Sequence, residues 1–326
     1  MIVSTQNHLL VETASGFFVR FTDTVISIDR YEQTDYYTIR RKVMINTIDV
    51  ALIKQLDKAI ELYANDDVET GITRASIIAL LTDYSSRLSD INLLIENHRL
   101  SSCKVLMRVA FETDVYLRYI FERNNRIENR AKAYFYHGFQ KTAYYFQHLS
   151  ETDIADPNEI IQDINNSNNP KLLGHYHSVN EYFNDKRTVF RSCFNIENRG
   201  LSFQTLTDDE PFRPFKIDSW KWYNDDGNTR NFLLLVRRLN LLNDYAALYV
   251  PTSGDVHSDI LPHDLEASPH TIKVVQSFDP NMLVFFRISI LEFLQFIRSH
   301  IHNNDNRRKV TKLIKSAKTI YFVNNR

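Results

Sequence analysis

Between Ser101 and Arg123 the chain reads SSCKVLMRVAFETDVYLRYIFER, a stretch that is apolar on nearly every side when wound as a helix. At about 100° per residue, Val105, Arg108, Glu112, Val115, Tyr116 and Tyr119 share one face, and Leu106, Val109, Ala110, Leu117, Ile120 and Phe121 fill the other. The pattern predicts a central helix over about 101–123, with Arg108 and Glu112 inside an apolar stripe. Charged side chains are rarely buried unless paired, so the two are expected to pair or to meet partners from neighbouring helices. Arginine N-terminal to glutamate is the weaker order for an intrahelical pair, which makes Tyr245 or His257 the expected further partners. A buried pair of this kind costs about 3–5 kcal/mol when one member is removed.

The same periodicity organises the rest of the chain. Phe17, Phe18, Phe21, Val25 and Ile28 recur at helical spacing, and a second helix is expected from about Tyr37 through Ala64. Thr70 or Thr73 is the expected cap of a third helix, which carries Ile77, Leu81, Tyr84, Leu88, Ile91 and Ile95. After Arg123, a helix over about 130–149 has Phe135, Phe139, Ala143 and Phe146 on its core side. Arg130, Tyr134, His137, Lys141, Tyr144 and His148 lie on the opposite, solvated side. Asp156-Pro157 with Glu159, and Asn169-Pro170, mark the starts of two shorter helices. The turn-rich stretch 196–228, with both tryptophans, reads as an insertion or lid, with a small hairpin as one form it could take. Phe232, Leu235, Val236, Leu239, Leu242 and Ala246 predict one helix over about 229–250, ended by Pro251. Two more are expected over about 280–303 and 305–321.

The fold class is therefore all-α: a single multi-helix bundle with outer helices over 1–98, a core over 99–302 and a basic C-terminal helix over 305–326. Seven glycines in 326 residues leave few tight glycine turns, and neither GxGxxG nor GxxxxGK[ST] occurs, which disfavours nucleotide chemistry on a glycine loop. Two cysteines make no disulfide framework and no four-thiolate zinc site, in keeping with a cytoplasmic protein. The N-terminal sequence lacks a basic flank followed by an apolar run, and no segment is long enough for a membrane span, so neither a signal peptide nor a membrane partner is expected. The net charge of -1 hides a basic end: beyond Asn306 there are seven cations and no acid.

Three places carry candidate chemistry. Arg308, Lys312 and Lys315 share one face of the last helix, and Tyr134 and Lys141 lie on a basic and aromatic strip. Cations meet phosphates and tyrosines stack on bases, so these are the candidate contacts for RNA or single-stranded nucleic acid. The loop YVPTSGDVHSDILPHDLEASPH brings His257, His263 and His270 together with Asp255, Asp259 and Asp264. Its spacing matches no metal signature, so no metal or other cofactor is assigned, and metal-dependent hydrolysis through His257, His263 and Asp264 is the third functional reading. His257 follows a Ser253-Gly254 turn that aims it back towards the bundle.

Arg108-x-x-x-Glu112 in an apolar helix, the aromatic run Tyr116 to Phe121, and Tyr245 followed by Val256-His257 resemble the bacterial, all-helical domain-of-unknown-function family 5677 over roughly Gly71 to His302. The resemblance implies a bundle in which Arg108, Glu112, Tyr245 and His257 converge on one polar site, the candidate catalytic residues. Arg130-x6-His137 is similar to the Arg/His pair of HEPN ribonucleases, although Ala131 stands where that family often has a polar residue. That resemblance implies metal-independent RNA cleavage, with His137 or His257 as acid or base and Arg130 or Arg108 stabilising phosphate charge. The leading expectation is a binding or regulatory module of a bacterial defence or stress system, with a nucleic acid or another protein as partner.

Overall fold

The structure is a computed structural model. It describes residues 2–5, 8–12, 18–20, 48–66, 71–138, 156–167, 175–193, 221–252, 265–268, 271–274 and 282–324. The fold is an all-α multi-helix bundle. Its helices are α1 (Val50–Ala64), α2 (Ile72–Glu96), α3 (Leu100–Phe121), α4 (127–138), α5 (Pro157–Ser167), α6 (Val179–Ser192), α7 (Phe232–Arg238), α8 (242–252), α9 (Met282–His300) and α10 (Asn304–Asn324). Two small antiparallel sheets accompany them. One has the order β1 (Ile2–Thr5), β2 (His8–Glu12), β3 (Phe18–Arg20); the other pairs β4 (Leu265–Ser268) with β5 (Thr271–Val274).

Helix α1 packs on α2, α9 and α10, and α2 runs beside α3 along its length. Leu56 of α1, Leu81, Tyr84 and Leu88 of α2, Met107, Phe111 and Leu117 of α3, Phe286 and Ile290 of α9 and Val310 of α10 are buried together. Each such side chain contributes roughly 1.5–3 kcal/mol by leaving water. The connections are short because their caps are specific. At the end of α2, His98 takes a left-handed conformation (φ 54°), with Arg99 N–H bonding Leu94 O and His98 N–H bonding Ile95 O. Asn240 (φ 58°) ends α7 in the same way, through Leu241 N–H to Val236 O and Asn240 N–H to Arg237 O. Glycine usually fills that position; in this glycine-poor chain a histidine and an asparagine do.

Several boundaries differ from the sequence expectation. Phe18–Arg20 is a strand, where helical spacing predicted a helix; the rest of that predicted helix lies outside the described residues. Helix α1 starts at Val50 rather than near Tyr37, because the Asp49 carboxylate accepts Ala51 N–H and caps it. Gly71 is the N-cap of α2 and Thr73 lies within the first turn, while Thr70 lies outside the described residues. Asp156 caps α5 as expected, and Asn169-Pro170 lies outside the described residues; α6 begins at Val179, where Ser178 accepts Glu181 N–H and Glu181 reaches back to His177 N–H. The expected helix over 229–250 is two helices, parted by Asn240, and Pro251 lies inside the last turn of α8. Of the expected insertion or lid over 196–228, residues 196–220 lie outside the described residues; Trp222, Tyr223 and Asn224 are buried in the bundle.

Candidate functional site

Arg108 and Glu112 sit one turn apart on the side of α3 that meets α8. The Arg108 Nε lies 3.4 Å from Glu112 Oε1, a long contact, and Arg108 Nη2 donates to the Tyr249 hydroxyl at 2.7 Å. The guanidinium also stands 4.1 Å over the Tyr249 ring, so Tyr249 holds it by both charge and hydrogen bond. Tyr249 belongs to a π-helical turn, Tyr245–Tyr249, in which Val250 N–H bonds Tyr245 O. The wide turn places the two tyrosines in parallel contact, centroids 4.7 Å apart, and such turns recur at functional sites. Tyr245 therefore backs the site through Tyr249.

Phenol rings surround the pair. Tyr116 stacks on Tyr223 and meets Trp222 and Phe232 edge-on, while Tyr249 packs on Phe232. Burial pushes the Tyr223 hydroxyl up to about 12, and the charge of Glu112 adds to this. Burial and Glu112 raise Tyr116 and Tyr249 in the same direction, Arg108 opposing in the case of Tyr249. These phenols stay protonated and serve as donors and ring walls, not as bases. The Glu112 side chain is 30 % exposed and that of Arg108 14 %, so the glutamate reaches solvent and the pair is not enclosed as expected. A carboxylate with spare acceptor capacity, set among phenols and beside a fixed guanidinium, is chemically a receptor for a hydrogen-bond donor.

Two other charge clusters along α3 are paired more tightly. Arg118 Nε binds Asp114 Oδ2 at 2.6 Å, its Nη1 binds Glu292 at 2.5 Å, and its Nη2 donates to Ser289. At the C-terminal end of α3, Arg130 Nε donates to Asp225 at 2.9 Å, Nη2 to Glu122 at 2.8 Å and Nη1 to Tyr119 O, with the guanidinium over the Tyr119 ring. Arg238 grips Glu122 through two nitrogens and reaches Asp225 and Asp226. These arginines hold the carboxyls of Glu122 and Asp225 below their usual range against the opposing effect of burial.

Arg130 was expected on a solvated face; its side chain is 1 % exposed. All three of its nitrogens are engaged within the protein, and at 1 % exposure the guanidinium is out of reach of a phosphate in solution. The part-exposed His137 lies on the same helix, but the ribonuclease pairing of Arg130 with His137 has no support here. Tyr134 is likewise no open stacking platform, since its ring packs on Trp222 (5.0 Å) and Tyr116. Arg308, Lys312 and Lys315 are exposed on α10 as expected. His257, His263, His270, Asp255, Asp259, Asp264 and Lys141 lie outside the described residues. Sequence reasoning missed Tyr249, Tyr116 and Tyr223 as site residues. The i, i+4 pair Tyr245/Tyr249 was the available signal for Tyr249.

Fold and site together define an all-helical protein with a phenol-lined ion pair on its central helix. The chain belongs to the family of unknown function DUF5677, whose profile matches residues 75–268, a span that begins in α2 and takes in α3, the π turn of α8 and β4. No curated protein and no solved structure matches the chain.

Proposed function

We propose that this protein is a binding or regulatory module whose ligand is received at Glu112, with Arg108 and Tyr249 fixing the carboxylate's surroundings. One observation carries the reading. Of the α3-end carboxylates paired with arginine, Glu112 has a longer contact (3.4 Å) and greater exposure (30 %) than Asp114 (2.6 Å, 0 %) or Glu122 (2.7 Å, 23 %). The arginine contacts of Asp114 and Glu122 are short and direct, whereas the long contact at Glu112 leaves that carboxylate acceptor capacity. The complementary ligand presents a donor, an ammonium, amidine or amino group, on a body flat enough to lie against tyrosine. Cys103 and Cys193 are buried and free, which favours a reducing compartment such as the cytoplasm. The reading concerns the binding step and holds whether the cellular setting is defence, stress or neither.

The test is a tyrosine and tryptophan fluorescence titration with nucleosides, polyamines and guanidino compounds. Binding by one of these classes that disappears in Glu112→Gln, while the variant melts within a few degrees of wild type, is the expected result. Binding that is indifferent to Glu112→Gln overturns the reading, and so does a variant that no longer folds.

A further inference from the structure

We propose that the corner formed by α9 and α10 is a docking surface for single-stranded nucleic acid. Exposed cations there flank a stack of rings that ends at His300. The surface is separate from the Glu112 site and does not depend on it.

The inference starts from what α10 does with its two sides. Val310, Ile314 and Ala317 are buried against α1 and α9, so that side of the helix is taken up by packing. Arg308, Lys312 and Lys315 stand on the opposite side, one cation per turn, and all are exposed. The one acid of this helix, Asp305, lies 3.6 Å from Arg308 with both side chains about four-fifths exposed, a contact that water and salt largely cancel. Across the turn, an open groove is lined by Gln295, Phe296, Arg298 and Ser299 of α9 and by Arg307 of α10. Arg307 is pinned there by two hydrogen bonds to Ile301 O, at 2.6 and 3.1 Å. Arg298 is exposed and makes no ion pair among the described residues. Cations thus edge the groove from both helices.

The rings point to the kind of polyanion. Phe296 is sandwiched between Phe121 (centroids 3.2 Å, 12°) and His300 (4.0 Å, 26°), and the part-exposed imidazole ends the stack. Its Nδ1 is tied to Phe296 O and to Ser299 Oγ at 2.9 Å each, which fixes the ring plane. A fixed aromatic plane beside phosphate-binding cations suits an unstacked base on a flexible backbone. A duplex keeps its bases stacked and offers nothing to that plane. An anionic membrane would need an apolar edge to insert, and Phe322, 61 % exposed near the end of α10, is a single ring and not a continuous edge.

The experiment is fluorescence anisotropy with labelled oligouridylate, oligothymidylate and a duplex of equal length, in a salt series, on the full chain. The expected result is binding to one or both single strands that weakens as salt rises. The variant Arg308→Ala/Lys312→Ala/Lys315→Ala should bind at least about tenfold more weakly, and its log–log salt slope should be flatter by about 2, three contacts at about 0.7 each. His300→Ala should weaken binding about tenfold and leave the slope unchanged, because stacking releases no counterions. Arg230→Ala/Arg237→Ala, exposed cations near α7, should change neither. Preference for uridylate assigns RNA as the partner, and equal binding assigns backbone and ring recognition common to both; either supports the proposal. No binding at low salt, a triple variant equal to wild type, a duplex bound as tightly as single strands with His300→Ala silent, or capture by anionic vesicles alone overturns it. Circular dichroism melts establish that each variant is folded.

Discussion

Arg130 and Asp225, 95 positions apart in the sequence, meet at 2.9 Å beneath the end of the central helix, where Glu122 and Arg238 complete a ring of alternating charges. The ring joins four segments that carry no common periodicity: the α3 terminus, the start of α4, the chain leading into α7 and the end of α7. Removing one arginine from a buried ring leaves carboxylates without enough positive charge, and the loss is dominated by that stranded charge. Arg130→Ala is expected to lower stability by about 3–5 kcal/mol in urea titration. Arg238→Ala should also destabilise, and the double variant should cost less than the sum of the two, since both act on Glu122 and Asp225. Additive losses would mean that the two arginines work independently.

The Arg108–Glu112 pair should behave differently. Because the glutamate is partly open and the contact long, Arg108→Ala and Glu112→Ala are each expected to cost about 1 kcal/mol or less, below the 3–5 kcal/mol of an enclosed pair. Paired thermal melts beside Arg130→Ala give the comparison directly. Equal losses at the two positions would place Arg108 in the same structural role as Arg130.

How far the sequence spoke follows from the range of each interaction. The central helix, the basic face of α10 and the polar pair at Arg108 and Glu112 were legible because periodicity is local: each needs only residues within two or three turns. Arg130 was misplaced on a solvated face for the opposite reason. Nothing near it in sequence announces Asp225, so its charge argued for solvent while one of its two carboxylate partners lay 95 positions on. The split of the helix over 229–250 depends on a left-handed asparagine, which an apolar pattern conceals. Tyr249 was not picked out by the apolar pattern, and it is the π turn aiming it at Arg108 that gives it a role at the site.

The thiols offer a probe of global unfolding. Burial pushes Cys103 up to about 12 and Cys193 up to about 11, and reaction requires the thiolate. Neither should react appreciably with a disulfide reagent at neutral pH in the folded protein, and both should react once urea has unfolded it. Rapid labelling of Cys103 under native conditions would show that α3 opens locally at its N-terminal end.

The last prediction concerns pH and Asp114. Its side chain is fully buried, Oδ2 is bound by Arg118, and Oδ1 has no hydrogen-bond partner among the described residues. Burial outweighs the arginine and lifts the carboxyl from 3.8 to about 6. The folded chain therefore holds this proton more tightly than the unfolded chain does. That contribution to stability is full below about pH 4 and is lost as pH rises through about 6. At about 1.4 kcal/mol for each factor of ten, it amounts to roughly 3 kcal/mol between those limits. Asp66, Glu122, Asp225 and Asp226 are displaced downward, so their contributions are present above their unfolded values and are lost on acidification. The two trends oppose each other, and Asp114→Asn removes only the first. Urea titrations of wild type and Asp114→Asn at about pH 4, 5.5 and 7 should show the stability difference shifting in favour of the variant as pH rises. A difference that is flat across that range would mean that Arg118 keeps Asp114 ionised throughout, and the buried carboxylate would then be an ordinary closed ion pair.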